Sequence, residues 1–306
     1  MAIRIAVVGI GKIARDQHLP AIAGSGDFIL AATVSRSGAD VGVPGFADLV
    51  GLAASGVAVD AVALCGPPVG RHVLAAEALR HGWHVLLEKP PGATISELAV
   101  LPAQAAAAGR TLFATWHSRF AAGVAPAAAW LAGRQLRRVA VTWQEDIRRW
   151  HPGQDWLLAP GGLGVFDPGI NALSILTAIL PGPLAMREAR LLVPADRQGP
   201  IAASVAMAAG AALVTLDLDF RITGDQIWSI VVETDSGTLR LDAGGERLAI
   251  DGAGQAVAAA AEYPALYARF AELIAAGASE FDVRPLQLVG DAFLIGSRQV
   301  VPAFTW

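Results

Sequence analysis

Two lysines are the most informative side chains of the sequence, because Lys12 and Lys89 are the only lysines among 23 Lys and Arg residues. A lysine amine is a compact charge that can lose its proton on burial, whereas an arginine guanidinium stays charged and binds as a planar fork. Lys89 lies in Glu88-Lys89-Pro90, directly after the apolar run 84–87. Proton transfer is therefore the chemistry to consider at Lys89, although a composition rich in arginine could leave two lysines by chance.

A glycine pattern surrounds the first of these lysines. Gly9-x-Gly11-x-x-Ala14 follows an apolar run at 3–8 and opens a predicted helix at 13–23. In a dinucleotide-binding turn the first glycine permits a tight bend, the second lets backbone approach the pyrophosphate, and a small third residue lets helix and strand pack. An ordinary glycine turn is the alternative. The residues expected at the dinucleotide here are Gly9, Gly11, Lys12 and Ile13.

The end of the second predicted strand, at 28–34, bears on the choice between NAD and NADP. A carboxylate about 20 residues after the glycines would bind the ribose 2′-hydroxyl of NAD, but the chain has Ser35-Arg36-Ser37 there. A guanidinium and hydroxyl groups suit a 2′-phosphate through charge-assisted hydrogen bonds. We therefore expect Ser35, Arg36 and Ser37 to contact the cofactor and NADP to be preferred over NAD. A solvated loop charge at Arg36 is the alternative.

Two more segments follow predicted strands. Cys65-Gly66-Pro67-Pro68 comes after a strand at 59–64, and Glu88 and Lys89 come after the strand at 84–87. In open parallel sheets, ligands bind outside the carboxyl ends of the strands. Cys65, Pro67 and Pro68 could thus wall a nicotinamide pocket, with a plain turn as the alternative. Glu88 and Lys89 are predicted to lie at the cofactor as well.

An aspartate and an asparagine later in the chain are spaced to act together. Asp167 and Asn171 are four residues apart at the start of a predicted helix. Side chains at this spacing lie on one face of a helix and can reach one ligand. Asp167 could instead cap the helix N-terminus. The pair is a candidate for ligand binding.

A carboxylate continues an apolar row in the segment 136–146. Apolar side chains occupy alternate positions from 139 to 143, and Glu145 follows on the same face of the predicted strand. Together with Trp150 and His151, Glu145 could bind the hydroxyl groups of a ligand while the indole stacks on a C–H face. Alternatively, Trp150 belongs to a core at a domain interface and His151 is an ordinary loop residue.

The histidines add one candidate and no metal site. His117, in Trp116-His117-Ser118-Arg119, is a further candidate for substrate contact. His81 and His84 straddle Gly82 without helical spacing, and no carboxylate completes a zinc-ligand set. We therefore expect no metal.

The elements that must position these residues change character along the chain. In the first part, short apolar strands alternate with helices, which is typical of a parallel sheet covered on both faces. Later strands have hairpin spacing with Gly or Asp turns, which predicts a mostly antiparallel sheet. The predicted strands are at 3–8, 28–34, 59–64, 84–87, 111–115, 136–146, 186–194, 201–207, 211–220, 227–234, 237–242 and 247–251. The predicted helices are at 13–23, 47–54, 70–80, 95–107, 121–131, 263–275 and 285–299.

The predicted fold class is α/β, with two domains. An N-terminal Rossmann dinucleotide-binding domain is expected at 1–119, and a C-terminal substrate-binding α+β domain with a large, mostly antiparallel open sheet at 120–306. The 306 residues are 54% hydrophobic and 16% charged, which is ample for two cores. A half-exposed sheet in the second domain would explain self-association, so we expect a homo-oligomer, most simply a dimer.

Charge and cysteine content restrict the partners and the compartment. Basic residues number 23 and acidic residues 27, a net charge of −4 without long basic stretches, so neither nucleic acid nor anionic membrane is an expected partner. Apolar runs end before about 20 residues, so no transmembrane span is expected. Cys65 is the only cysteine, which excludes an internal disulfide and favours a reducing compartment, the cytoplasm.

Three motifs together resemble those of the Gfo/Idh/MocA oxidoreductases. They are Gly9-x-Gly11-x-x-Ala14, Glu88-Lys89-Pro90 and Asp167-Pro168-Gly169-Ile170-Asn171. Longer segments at 8–18, 145–154 and 164–175 are similar to those of bacterial L-arabinose and D-galactose 1-dehydrogenases, and the resemblance runs the length of the chain. It implies a Rossmann domain joined to an open-sheet domain.

The resemblance also implies an activity: NAD(P)-dependent oxidation of C1 of L-arabinose, D-galactose or D-fucose to the aldonolactone. It implies that Lys89 reaches the reacting carbon and the nicotinamide, and that the segment at 145–151 contacts the sugar. Many family members have histidine where this chain has Asn171. An amide cannot transfer a proton, so Lys89 and Asp167 both remain open as the proton acceptor. The alternatives are a sensor without catalysis and a sibling enzyme acting on another ring hydroxyl, such as an inositol dehydrogenase.

Overall fold

The chain forms two compact units. The structure, a computed structural model, describes residues 2–36, 41–259 and 261–306. The first unit consists of Met1–His117 and Ala261–Val283, and the second of Ser118–Ala260 and Arg284–Trp306.

A parallel sheet forms the centre of the first unit. Its strands are β1 (Ile3–Val8), β2 (Phe28–Val34), β3 (Gly45–Phe46), β4 (Ala61–Leu64), β5 (His84–Leu87) and β6 (Leu112–Ala114). They lie in the order β3-β2-β1-β4-β5-β6, and all neighbouring pairs are parallel. This is the strand order of a Rossmann fold, in which ligands bind at the carboxyl ends of the strands.

Helices connect these strands. A π-helical turn at Ala14–His18 continues as α1 (Leu19–Ala23), and α2 (Leu49–Ala54), α3 (Arg71–Arg80), α4 (Ile95–Leu98) and α5 (Leu101–Ala108) follow. The single helix predicted at 95–107 is in fact two helices. Pro102, in the first turn of α5, has no N–H for a hydrogen bond to the preceding turn, so it begins a helix more readily than it continues one.

A mixed sheet forms the centre of the second unit, and it is mostly antiparallel as predicted. Its strands are β7 (Leu136–Gln144), β8 (Leu184–Pro194), β9 (Ala202–Ala209), β10 (Ala212–Asp219), β11 (Ile227–Thr234), β12 (Gly237–Asp242), β13 (Arg247–Ile250), β14 (Ala253–Gly254) and β15 (Ser297–Val301). The order is β14-β13-β12-β11-β7-β10-β9-β8-β15. Within the described ranges, only β7–β10 and β8–β15 pair in parallel.

The remaining helices are α6 (Val124–Leu131), α7 (Ile147–Trp150), α8 (Phe166–Ile179), α9 (Glu262–Ala276) and α10 (Arg284–Ile295). Short 3₁₀ turns lie at His117–Phe120, Asp155–Leu158 and Ala243–Gly245. The helix α8 packs closely on the second sheet, since a Cβ at Gly169 would lie 2.8 Å from Cδ1 of Leu218. Of the helices in the described ranges, none has both the length and the apolar character needed to cross a membrane.

The segment Ala261–Val283 belongs to the first unit, to which the chain returns after forming most of the second, whereas the predicted boundary at 119/120 assigns it to the second domain. We call it the returning segment. A single boundary places α9 in the second domain, whereas the structure places it in the first unit. The reason is packing: Tyr267 and Phe270 of α9 contact Phe28 of β2, with ring centroids 5.4 and 5.8 Å apart. Local patterns cannot reveal such a return, because it depends on contacts between distant residues.

The C-terminal region also differs from its prediction as a helix at 285–299. The helix α10 ends at Ile295, and Ser297–Val301 forms the edge strand β15, parallel to β8. Gly296 separates the two elements, and Val300 and Val301 favour extended backbone.

Candidate active site

The turn after β1 fits a dinucleotide. Gly9 has φ +90°, and a Cβ there would lie 2.6 Å from the backbone nitrogen of Gly66, so only glycine is accommodated. At Gly11 a Cβ would meet no atom within 4 Å, which leaves the backbone open to a ligand. The Gly9 N–H donates to the carbonyl oxygen of Val34 at the end of β2 (2.8 Å). The turn therefore lies where strand ends meet, and its backbone at Gly11 is open to the approach of a ligand.

The first helical residues after this turn are exposed. Lys12 and Ile13 both face solvent, and Lys12 Nζ forms an ion pair with Asp16 one helical turn later. The lysine is thus at the predicted turn, and its charge has a partner on its own helix.

The residues after β2 and β4 lie at the same edge of the sheet. Ser35 N–H donates to the carbonyl oxygen of Phe46 (2.8 Å), and Arg36 is exposed. The third residue predicted there, Ser37, is outside the described residues. After β4, Cys65 and Pro68 are buried and Pro67 is exposed.

Arg71 connects the loops after β4 and β5, and the sequence patterns did not single it out. It is the first residue of α3, and its guanidinium donates to the carbonyl oxygens of Gly66, Glu88 and Pro90. Lys89 lies between Glu88 and Pro90 in the sequence, and its side chain is half-buried. Its peptide bond with Pro90 is cis. An arginine a few residues after a predicted strand was the sequence signal available for this contact.

The Glu88 carboxylate lies in a buried polar cluster. Its Oε1 accepts a hydrogen bond from the Tyr263 hydroxyl (2.5 Å) and lies 3.5 Å from His18 Nε2. His18 Nδ1 is 2.8 Å from the Tyr267 hydroxyl, and the histidine side chain is fully buried. We call these four residues the Glu88 cluster. Two of its members come from the returning segment, so sequence analysis could not assemble it.

Burial and charge act in opposite directions on the Glu88 cluster. Burial alone would raise the pKa of Glu88, but the nearby His18, followed by the charges of His117 and Lys89, lowers it to about 2. Burial alone would lower the pKa of His18, but Cys65 and then Glu88 raise it to about 10. The pair is therefore ionised at neutral pH.

His117 borders this cluster. Its Nδ1 lies 2.7 Å from Oε2 of Glu262, and its ring stacks on Tyr263 with centroids 5.4 Å apart. The adjacent Trp116 donates through Nε1 to the carbonyl oxygen of Asp282 (2.8 Å). Residues of the returning segment thus hold Trp116 and His117 in place.

In the second unit, Glu145 is the centre of another polar cluster. It directly follows β7, is buried as the alternation predicted, and has Oε1 3.2 Å from His151 Nε2. Its Oε2 accepts a hydrogen bond from Trp228 Nε1 (2.9 Å), and the rings of Trp228 and Trp150 lie 5.3 Å apart. We call these four residues the Glu145 cluster. The sequence predicted three of them; Trp228 comes from β11, whose pairing with β7 could not be read from local patterns.

Asp167 and Asn171 lie on α8. The N-cap of this helix is Val165, so Asp167 lies in the first turn and is not the cap considered as its alternative role. Asp167 is buried and Asn171 half-buried. Gly169, between the two in α8, packs on Leu218 of β10. The next residue of β10, Asp219, accepts a hydrogen bond through its carbonyl oxygen from the Glu145 N–H (2.9 Å). The Asp167–Asn171 pair and Glu145 thus lie at the same end of the second sheet.

The histidines at 81 and 84 have structural contacts. His84 Nδ1 accepts a hydrogen bond from the Thr111 N–H (2.9 Å), and His81 lies 4.9 Å from the ring of Trp83. In the part of the chain that the structure describes, no three His, Cys, Asp or Glu side chains are grouped as metal ligands.

Comparison with known proteins agrees with this geometry. Residues 3–115 match the Gfo/Idh/MocA family model, described as an oxidoreductase family with an NAD-binding Rossmann fold. The chain is 47% identical over 305 residues to a galactose 1-dehydrogenase of Pseudomonas fluorescens, with 99% of this chain and 98% of that protein covered.

Solved structures give the same result. A D-galactose-1-dehydrogenase from Rhizobium etli is 50% identical, with a TM-score of 0.95 over 99% of this chain and 98% of that one. A 3-ketoreductase from Actinomadura kijaniata, in complex with NADP and TDP-benzene, shares the fold at 20% identity, with a TM-score of 0.83 over 99% of this chain and 100% of that one. The glycine turn, the parallel sheet and the full-length similarity all lead to one conclusion: the chain belongs to the Gfo/Idh/MocA family of oxidoreductases.

Proposed function

We propose that the protein is an aldose 1-dehydrogenase that oxidises C1 of D-galactose, or of an aldose with the same hydroxyl orientations such as L-arabinose or D-fucose, to the aldonolactone. The observation that carries this proposal is the full-length similarity to two galactose 1-dehydrogenases at 47% and 50% identity. The Glu145 cluster supports it with groups that suit a sugar.

The Glu145 cluster would bind the sugar. A carboxylate accepts hydrogen bonds from hydroxyl groups, and the half-exposed His151 beside it can donate or accept. Trp150 is 36% exposed, so part of its indole can contact an apolar C–H surface, beside the Arg149 guanidinium that lies over the ring 5.0 Å from its centroid. Together these groups favour a ligand with both hydroxyls and a C–H face, as a pyranose has.

Proton transfer would fall to Lys89 or Asp167. Oxidation removes a hydride from C1 and a proton from the anomeric hydroxyl. When bound, the nicotinamide cofactor accepts the hydride. Lys89 is half-buried and Asp167 buried, and either can hold a proton, whereas the amide of Asn171 can only orient the sugar. Positioning by Asn171 and His117 would lower the barrier further.

NADP would be preferred over NAD. Arg36 is exposed at the carboxyl end of β2, where the 2′ substituent of the adenosine ribose is bound in Rossmann folds. An arginine there attracts a phosphate and offers nothing specific to a 2′-hydroxyl. Arg36→Ala should therefore lower kcat/KM for NADP about tenfold or more, the effect of one charge-assisted hydrogen bond of about 1.5 to 3 kcal/mol, and leave NAD almost unaffected. An unchanged NADP-to-NAD ratio would contradict the assignment.

The test of the activity is a panel of aldoses assayed with NADP and with NAD. Reduced cofactor is followed at 340 nm, and the product is identified as a lactone by NMR. D-Galactose, L-arabinose and D-fucose should react, because their pyranose rings differ only at C5, and selectivity among them should be modest. Oxidation of inositol with no aldose activity would identify a sibling enzyme. Cofactor binding without any turnover would identify a sensor.

The protein would also self-associate. Large apolar side chains are exposed on three strands of the second sheet: Leu213 on β10 (51%), Ile227 on β11 (43%) and Val300 on β15 (72%). Sedimentation analysis at micromolar concentration should give a dimer or a larger homo-oligomer, and a monomer would contradict this part of the proposal.

A further inference from the structure

Arg71 is a buried cation with unusual partners. Its side chain is 3% exposed, although it begins a helix that borders a loop. Nη1 donates to the carbonyl oxygens of Glu88 and Pro90, and Nη2 donates to the carbonyl oxygen of Gly66. Burying a charge is costly unless it is hydrogen-bonded, and a guanidinium donates only in fixed, planar directions. The side chain thus constrains where these three backbone acceptors lie.

The acceptors belong to two loops with different neighbours. Gly66 follows β4 and packs against the glycine turn, since a Cβ on Gly9 would lie 2.6 Å from its nitrogen. Glu88 and Pro90 stand on either side of Lys89 after β5. One guanidinium therefore connects the backbone that carries Lys89 with the backbone that supports the dinucleotide turn.

We propose that Arg71 is a positioning residue that sets the place of Lys89 relative to the dinucleotide turn. The inference rests on the proposed role of Lys89 in aldose oxidation. A lysine at position 71 would keep the charge, but its amine ends in a single atom and cannot hold carbonyls of two loops as a planar fork does. A displacement of about 1 Å at a catalytic group can cost about 10²-fold in rate. Loss of the fork should therefore act on kcat.

The experiment compares Arg71→Lys with a matched control. Arg134→Lys removes a guanidinium hydrogen bond to the carbonyl oxygen of Trp130 in the second unit, remote from Lys89 in sequence and outside the proposed machinery. Arg71→Lys should lower kcat for D-galactose with NADP about 10- to 100-fold, with the sugar KM and the NADP Kd changed by less than about threefold. Arg134→Lys should leave kcat within about twofold, the change expected of a surface-type substitution.

A double variant tests whether Arg71 acts through Lys89. Lys89→Met alone should lower kcat by about 10² to 10⁴, the usual effect of losing a proton-transfer group. Adding Arg71→Lys to Lys89→Met should cause almost no further loss, because residues that act as one unit are not additive. Independent, multiplying losses would overturn the inference.

The outcomes separate this inference from the proposed function. A wild-type protein that oxidises no aldose defeats the proposed function and the inference with it. Near-normal turnover of Lys89→Met defeats the inference and leaves the proposed function with Asp167 as the proton acceptor. A large loss in Lys89→Met with normal kcat in Arg71→Lys defeats the inference alone. If Arg71→Lys does not fold, Arg71→Gln, which retains two N–H donors, takes its place under the same criteria. A lower melting temperature with unchanged kcat in the folded enzyme also counts against the inference.

Discussion

The two polar clusters each combine a glutamate, a histidine and two aromatic side chains, but their surroundings differ. Glu88 and Glu145 are both buried carboxylates, each with a histidine Nε2 at 3.5 or 3.2 Å and an aromatic O–H or N–H donor at 2.5 or 2.9 Å. In the Glu88 cluster the histidine side chain is 0% exposed, whereas His151 is 18% exposed. The fourth member of the Glu88 cluster, Tyr267, is buried, whereas the fourth member of the Glu145 cluster, Trp150, is exposed.

This difference leads us to propose a structural role for Glu88 and a ligand-binding role for Glu145. In the Glu88 cluster the carboxylate lies against the buried Tyr263 and His18, so these contacts contribute mainly to stability. In the Glu145 cluster the partners of the carboxylate reach solvent, so the carboxylate and the histidine can form hydrogen bonds with a substrate. We therefore expect substitution of Glu88 to act mainly on folding, and substitution of Glu145 mainly on sugar binding.

The largest effect should come from Glu88→Gln, because it removes one member of a buried ion pair. Breaking such a pair typically costs about 3 to 5 kcal/mol. The first unit should lose that stability, and calorimetry should record a melting temperature several degrees lower. A melting temperature equal to that of the wild type would contradict a structural role for the Glu88 cluster.

A smaller effect is expected from Glu145→Gln. The amide keeps the shape and accepts fewer charge-assisted hydrogen bonds, each contributing about 1.5 to 3 kcal/mol. The kcat/KM for D-galactose should fall about 10- to 100-fold, and NADP binding, measured by fluorescence, should stay near that of the wild type. If Glu145→Gln lost stability and kept its kcat/KM, both clusters would be structural.

A further effect is a pH dependence of the stability that the Glu88 cluster contributes. Since the pKa of His18 is raised from 6.5 to about 10, its contribution to stability is complete below pH 6.5 and is lost as pH rises through about 10. Since the pKa of Glu88 is lowered from 4.5 to about 2, its contribution is complete above pH 4.5 and is lost as pH falls through about 2. The pair stabilises most between pH 4.5 and 6.5.

His18→Gln provides the measurement. The difference in melting temperature between wild type and His18→Gln should shrink steadily from pH 6.5 to pH 10. A His151→Gln variant, matched in chemistry, serves as the control in the Glu145 cluster. A constant difference for His18→Gln across this range would contradict an ionised pair.

The comparison also separates what local sequence predicts from what it cannot. The alternation in β7 placed Glu145 on a buried face, and Gly9 and Gly11 marked the dinucleotide turn, because strand periodicity and turn chemistry are local properties. Trp228, Tyr263 and Arg71 were missed. Each of them forms a hydrogen bond with a residue 17 to 175 positions away. Such contacts depend on strand pairing and on the returning segment, which local patterns do not show.

The central claim is oxidation at C1, and isotope transfer tests it most directly. D-Galactose with deuterium at C1 is incubated with the enzyme and NADP, and the reduced cofactor is analysed by mass spectrometry and NMR. Our account predicts that the deuterium appears at C4 of the reduced nicotinamide, together with a lactone that has lost it. Reduced cofactor without deuterium would contradict the account, because the hydride would then come from another carbon.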